Sequence, residues 1–264
     1  MKNKNKQCSF FPSIFSLILL LSGLPASAGT APAVPFAVLA QYPHRSHAFT
    51  EGLELVDGLL YESSGLYRQS FITAMPLEAG GDALFFEMLP GSVFGEGMTV
   101  FKDRIYVLTW KEQRALVYDR KTRKLIREFT YEGEGWGLTH DDKHLIMSNG
   151  SDKLLYLDPD EGKVVRTVAV TEDGKPVTQL NELELVDKRI LANVWRTDTI
   201  VVIDPKTGVV TGRIELDKLY PHSMRSPAAD VMNGIAYDPA DKTLLVTGKL
   251  WPTVYRLRLT KPLP

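Results

Sequence analysis

Cysteine is almost absent from this sequence. The single residue, Cys8, precedes an apolar leader, so the chain beyond it has no thiol for a disulfide. Charge of one sign is also missing. Lys and Arg number 31 against 32 Asp and Glu, and no basic run stands out, which argues against nucleic acid as a partner. There is no P-loop, dinucleotide glycine fingerprint, HExxH or CxxC pair, so the common cofactor and zinc signatures are lacking. The five histidines, His44, His47, His140, His144 and His222, show no metal-ligand clustering and read as solvated loop residues. No amphipathic helix longer than a few turns is legible. Outside the first residues, no long hydrophobic run occurs.

Those first residues read as a signal peptide. "MKNKNK" is basic, "FFPSIFSLILLLSGL" is apolar, and "ASA" (Ala26, Ser27, Ala28) suits a cleavage site. The apolar run is shorter than the roughly 20 residues that span a bilayer. We expect residues 1–28 to be removed and residues 29–264 to be exported, to the periplasm or the medium, with no membrane attachment. Cys8 lies before the apolar run, the wrong place for a lipid anchor. The exported part must be stabilised by a core, and it is long enough to form one.

What is present is a repeat. "EGLELVDGLLYESSG" starts at Glu51, "EGMTVFKDRIYVLTW" at Glu96 and "WGLTHDDKHLIMSNG" at Trp136. "NELELVDKRILANVW" starts at Asn181 and "NGIAYDPADKTLLVTGK" at Asn233. The starts are about 45, 40, 45 and 52 residues apart, near the length of a four-stranded propeller blade. Inside each repeat the apolar period is two, as in "RIYVLTW" and "RILANVW", and polar turns such as "DPKTG" and "DPDEG" separate the strands. The pattern predicts an all-β, five-bladed β-propeller in a single domain. The last repeat runs out at "TVYRLRL", and "PFAVLAQY" (Pro35–Tyr42) is an orphan strand. We expect the two to pair, so that the N-terminal strand closes the last blade and hides an edge.

A propeller gathers equivalent positions round its axis. The repeat starts bring Glu51, Glu96, Trp136, Asn181 and Asn233 to one mouth. A second register, about 14 residues on, adds Gly65, Trp110, Gly150, Trp195 and Lys249. Aromatic walls with a few convergent polar groups are the pattern of a small-ligand pocket. A glutamate buried among tryptophans is pushed toward its protonated form and suited to acid–base work. The connection Glu215–Val231, ahead of the last blade, reads as a surface loop, with folding over the mouth as the alternative.

At these residues the sequence resembles a known family. "FTEGL", "ESSGLYRQS", "FGEGMT", "GWGLT", "LNELE", "ANVWRTD", "MNGIAYD" and "VTGKLWP", in order and at blade spacing, resemble the glutamine cyclotransferases of the plant and bacterial type. The resemblance runs from about Tyr42 to Leu259. It implies a five-bladed propeller that closes an N-terminal glutamine of a peptide or protein to 5-oxoproline with release of ammonia. It implies Glu96 as the acid–base residue, with Asn181 and Lys249 as polar catalytic residues. Phe49, Phe94, Trp110, Trp136 and Trp195 become substrate-binding walls, beside Glu51 and Asn233. Glu51 departs from the glutamine of "FTQGL" that members often carry, and a second carboxylate can raise the value of the first. The resemblance implies neither cofactor nor metal, and nothing in the sequence marks a structural calcium. A monomer is expected. Two other readings of the same residues stay open. One is a non-catalytic propeller that binds a peptide or sugar. The other is a metal-dependent lactonase using Glu51, Glu96, Asn181 and Asn233, although Trp136 would then stand in the ligand ring.

Overall fold

The structure, a computed structural model, describes residues 30–77 and 83–264; the leader lies outside them. Five four-stranded antiparallel sheets stand round an axis. Blade 1 is Thr50–Val56, Leu59–Ser64, Phe71–Pro76 and Phe85–Met88. Blade 2 is Gly95–Phe101, Arg104–Thr109, Arg114–Asp119 and Leu125–Thr130. Blade 3 is Leu138–His140, Leu145–Met147, Lys153–Leu157 and Val164–Ala169. Blade 4 is Leu180–Val186, Arg189–Val194, Thr199–Ile203 and Val210–Glu215. Blade 5 is Met232–Asp238, Thr243–Gly248 and Thr253–Leu259, completed by Phe36–Pro43. A ribbon of Thr171–Glu172 and Lys175–Pro176 lies between blades 3 and 4. Among the described residues there is no α-helix, and no helix long and apolar enough to cross a membrane.

Burial grades outward as the sequence pattern requires. The inner strand Gly95–Phe101 is buried throughout, whereas the outer strand Leu125–Thr130 is mostly exposed. Second and third strands such as Arg104–Thr109 and Thr199–Ile203 face neighbouring blades on both sides, so they read as unbroken apolar runs. Their side chains fill the inter-blade layers, for example Ile190, Val201 and Ile203 with Leu154 and Tyr156.

The N-terminal strand closes the ring as expected, running antiparallel to Thr253–Leu259 from Phe36 opposite Leu259 to Pro43 opposite Thr253. His44 follows directly, and here the expectation of a solvated histidine is wrong. Its Nε2 lies 2.9 Å from Glu62 Oε1, and its Nδ1 donates to the Trp251 carbonyl at 2.7 Å. Burial disfavours charge on both side chains. Their mutual attraction outweighs it, holding His44 above its ordinary value and Glu62 below. The pair ties the closing strand to blades 1 and 5.

Around the axis, the inner strands pack backbone against backbone. A Cβ on Gly97 would lie 2.5 Å from the Trp136 carbonyl, and one on Gly137 2.0 Å from the Asn181 carbonyl. That is why the second residue of each repeat is glycine. The exception, Glu182, crosses the channel instead: its carboxylate accepts from Leu53 N–H of blade 1 (3.1 Å) and Ile235 N–H of blade 5 (2.8 Å). Glu54 and Glu184 likewise accept from Val100 N–H and Tyr237 N–H of neighbouring blades. Buried acids thus satisfy backbone donors that the ladders leave open. Burial pushes Glu182 and Glu184 well above the ordinary carboxylate range, and Glu54 to about 7.

Candidate active site

The residues at the repeat starts leave the strand ladder. In blade 1 the register of the inner hairpin slips between Thr50 and Gly52; in blade 2, between Gly95 and Met98. In blade 4 it slips between Leu180 and Leu183; in blade 5, between Met232 and Ile235. The skipped positions include Glu51, Glu96, Asn181 and Asn233. A bulge re-aims a side chain, and here it turns four polar residues out of the sheet pattern at one mouth. Serines fix two of the bulges: Ser63 Oγ donates to the Glu96 carbonyl at 2.6 Å, and Ser148 Oγ to the Asn181 carbonyl at 2.7 Å.

A cavity of about 390 Å³ opens there, lined by Phe49, Glu51, Phe94, Glu96, Trp110, Trp136, Asn181, Trp195 and Lys249 among others. The aromatics form two groups. Phe94 meets Phe49 edge-on with centroids 6.2 Å apart and Trp110 at 5.5 Å; Trp136 meets Trp195 at 5.6 Å. The glycines of the second register make room for the large residues of the first. A Cβ on Gly65 would lie 2.4 Å from the Phe94 ring, and one on Gly150 2.7 Å from Trp136.

At the floor sit two carboxylates and an ammonium. Glu51 is 1% exposed, Glu96 6% and Lys249 7%. Lys249 Nζ donates to Glu51 Oε1 at 2.7 Å and lies 4.6 Å from the Phe49 ring centroid. Glu51 also shares a hydrogen bond with Glu96. Burial raises both carboxyls. Lys249 pulls back on Glu51, whereas Glu96 receives a further push from the Glu51 charge and ends well above the ordinary range. The proton of the pair therefore rests on Glu96, with Glu51 as the ionised partner of Lys249. Asn181 is 3% exposed and lines the cavity, and its Oδ1, a buried acceptor, has no hydrogen-bond partner.

One expected residue is displaced. Asn233 does not line the cavity. It is fully buried behind Glu51, with its Nδ2 donating to the Thr50 carbonyl at 3.0 Å and lying 3.4 Å from Glu51 Oε2. Lys249 belongs to the cavity, but its nearest polar partner is Glu51. Sequence reasoning missed Arg196, Asp230 and Val231, which also line the cavity. Arg196 follows Trp195 as Lys111 follows Trp110, a pairing that was legible. Asp230 and Val231 end the connection from blade 4, so that connection reaches the mouth after all. Its middle is anchored elsewhere, with Arg225 Nη2 2.7 Å from Asp198 Oδ1 and its guanidinium over Trp251. Glu134 was missed too. Its Oε2 accepts from Trp110 Nε1 at 2.8 Å and Trp136 Nε1 at 3.0 Å, joining walls from two blades. Among the described residues, no group of three or more His, Cys, Asp or Glu side chains is arranged to hold a metal ion.

Fold and site together define a class: a five-bladed β-propeller with a carboxyl, held above its ordinary value, enclosed by aromatics at one mouth. The glutamine cyclotransferase family model matches residues 14–259. A curated glutaminyl-peptide cyclotransferase of Arabidopsis thaliana is 37% identical over 226 residues, covering 84% of this chain and 70% of that protein. The crystal structure of the Myxococcus xanthus glutaminyl cyclase superposes with a TM-score of 0.79 at 34% identity, covering 86% of this chain and 97% of that one. The chain belongs to the glutamine cyclotransferase family.

Proposed function

We propose that this chain is a glutaminyl-peptide cyclotransferase: it closes the N-terminal glutamine of a peptide or protein to 5-oxoproline and releases ammonia. The observation that carries the reading is Glu96, a carboxyl held well above its ordinary value at the floor of an aromatic cavity. In the reaction the α-amino nitrogen bonds to the side-chain carbonyl carbon, and the bond from that carbon to the amide nitrogen breaks. A proton must leave the attacking nitrogen, and one must reach the departing nitrogen. Glu96 in its ionised form takes the first proton and returns one to the leaving ammonia. The upward shift makes Glu96 a stronger proton acceptor than an ordinary carboxylate, and its acid form a donor to the leaving nitrogen.

The neighbours serve this step. Lys249 keeps Glu51 ionised, and Glu51 steers the proton to Glu96. The Nδ2 donor of Asn181, with the Lys249 charge, serves the oxygen on which negative charge develops. The aromatic wall excludes water and holds the side chain folded back on its own amine, so ring closure prevails over hydrolysis. We place no metal in the reaction. Export follows from the leader-like first 28 residues.

The test is direct. The purified protein is incubated with chelator and a peptide beginning with glutamine, and ammonia release and loss of the free amine are followed. Matched release of ammonia and loss of amine is expected. No turnover would sink the reading; turnover abolished by chelator would replace it with a metal-dependent one.

A further inference from the structure

Two cations stack on tryptophans of the cavity wall: Arg196 lines the cavity itself, and Lys111 lies behind Trp110, on a neighbouring surface shared with Glu112 and Glu132. Arg196 lines the cavity and is exposed, with its guanidinium carbon 4.1 Å from the Trp195 ring centroid. Lys111, also exposed, holds its Nζ 3.8 Å from the Trp110 ring centroid. Each directly follows the second mouth residue of its blade. Neither makes an ion pair or hydrogen bond among the described residues, unlike Lys249 with Glu51 and Arg225 with Asp198. Stacking on a tryptophan restrains a cation while leaving its donors unused. Such a cation pays little further ordering entropy when a carboxylate arrives.

The charges are layered. The floor is acidic, with Glu51 and Glu96, and Glu134 lies near enough to raise Glu96. Asp230 is the exposed acid among the lining residues. Its Oδ1 accepts from Val231 N–H at 2.7 Å, and its charge is felt at Glu51, which places it on the Lys249 side. The aromatic walls carrying Arg196 and Lys111 belong to blades 4 and 2. At about 390 Å³ the cavity is at the small end for ligand sites. It holds a terminal glutamine and little more, so the rest of the peptide leaves across the rim.

We propose that Arg196, assisted by Lys111, selects substrates with an aspartate or glutamate among the two residues after the terminal glutamine. The inference rests on the cyclotransferase reading and adds to it the substrate class. A peptide entering amine first brings its positive end to the acidic floor. An acidic side chain one or two residues on then meets the unpaired cations. Arg196 offers a planar fork that fits a carboxylate with two donors.

The test compares Gln-Glu-Ala-amide and Gln-Ala-Glu-amide with the same peptides carrying lysine for glutamate. The full chain is used at low salt and at about 0.5 M salt, where exposed charges are screened. Rim pairs of this kind give roughly a three- to ten-fold preference in kcat/KM, expressed mainly in KM. The acid-over-lysine ratio should shrink at high salt and fall toward one in the Arg196→Gln, Lys111→Gln double variant. Arg196→Lys, which keeps the charge but loses the fork, should retain only part of it. The ratio is internal to each variant, so loss of folded protein does not mimic the effect. Turnover of all four peptides at equal efficiency, or a ratio unmoved by the double variant, overturns the inference alone. Turnover of none removes the cyclotransferase reading and the inference with it.

Discussion

Replacing Glu134 separates the architecture of the site from its chemistry. This carboxylate touches no residue of the acidic floor, yet one of its oxygens holds both Trp110 and Trp136. Glu134→Ala deletes two hydrogen bonds to a charged acceptor, at 2.8 and 3.0 Å. The site is half-buried, so water replaces part of what is lost, leaving about 1 kcal/mol for each bond. A loss of about 2 kcal/mol lowers the Tm of a domain this size by about 4–8 °C. With two walls released, KM for a glutamine peptide should rise severalfold, more than kcat falls. Tryptophan fluorescence should shift to the red, because Trp110 and Trp136 gain solvent while Trp251, fully buried, does not change.

Glu134→Gln is the control. Its carbonyl oxygen can accept from both indoles, so walls and Tm are largely kept. Its charge is gone, and that charge is one of the pushes that raise Glu96. The acid limb of kcat/KM should therefore move to lower pH in Glu134→Gln. Unchanged Tm, emission and KM in Glu134→Ala would refute the reasoning. So would a glutamine variant as damaged as the alanine one.

Other outcomes follow from the buried acids. Glu51→Gln removes the nearest negative charge from Glu96 and leaves Lys249 unpaired beside it. Both changes lower Glu96, so the acid limb should move down in pH; loss of most turnover in a folded Glu51→Gln variant would reassign the working proton to Glu51. Glu54 is raised to about 7 in the folded protein. Its contribution to stability is fully present below its unfolded value near 4.5 and is lost as pH rises through about 7. The loss approaches about 3 kcal/mol. Urea unfolding at pH 5 and pH 8 should show the decline, and Glu54→Gln, which keeps an acceptor for Val100 N–H, should lessen it.

The ring was legible because a period of two and a repeated glycine are local signals. Gly97 and Gly137 are required by backbone approach at the axis; Trp110 and Trp195 fall 14 residues after their repeat starts, and Lys249 falls 16 after its own. Both registers of the mouth followed from that spacing. What escaped depends on contacts between blades. His44 reads as a loop residue because its partner Glu62 reaches it only when the ring closes. Asn233 shares the register of Glu96 and Asn181, but blade 5 borders blade 1, and the carboxylate of Glu51 captures its amide. Glu134, two residues before a repeat start, is a carboxylate where the other blades have Phe49, Phe94, Gln179 and Val231. Asp230 and Val231 end a connection that only blade 5 has. The repeat predicts what the blades share, and the site is finished by what they do not.

The central claim is that Glu96 moves the proton. Glu96→Gln preserves shape and removes the titrating group. Burial of an ionisable carboxyl is unfavourable, so the variant should fold at least as stably as the wild type. Steady-state turnover of a glutamine peptide, with the Tm measured on the same sample, decides the matter. The account predicts a folded protein whose kcat falls by about 10²–10⁴-fold while KM changes little. A folded Glu96→Gln variant that releases ammonia at the wild-type rate would contradict it.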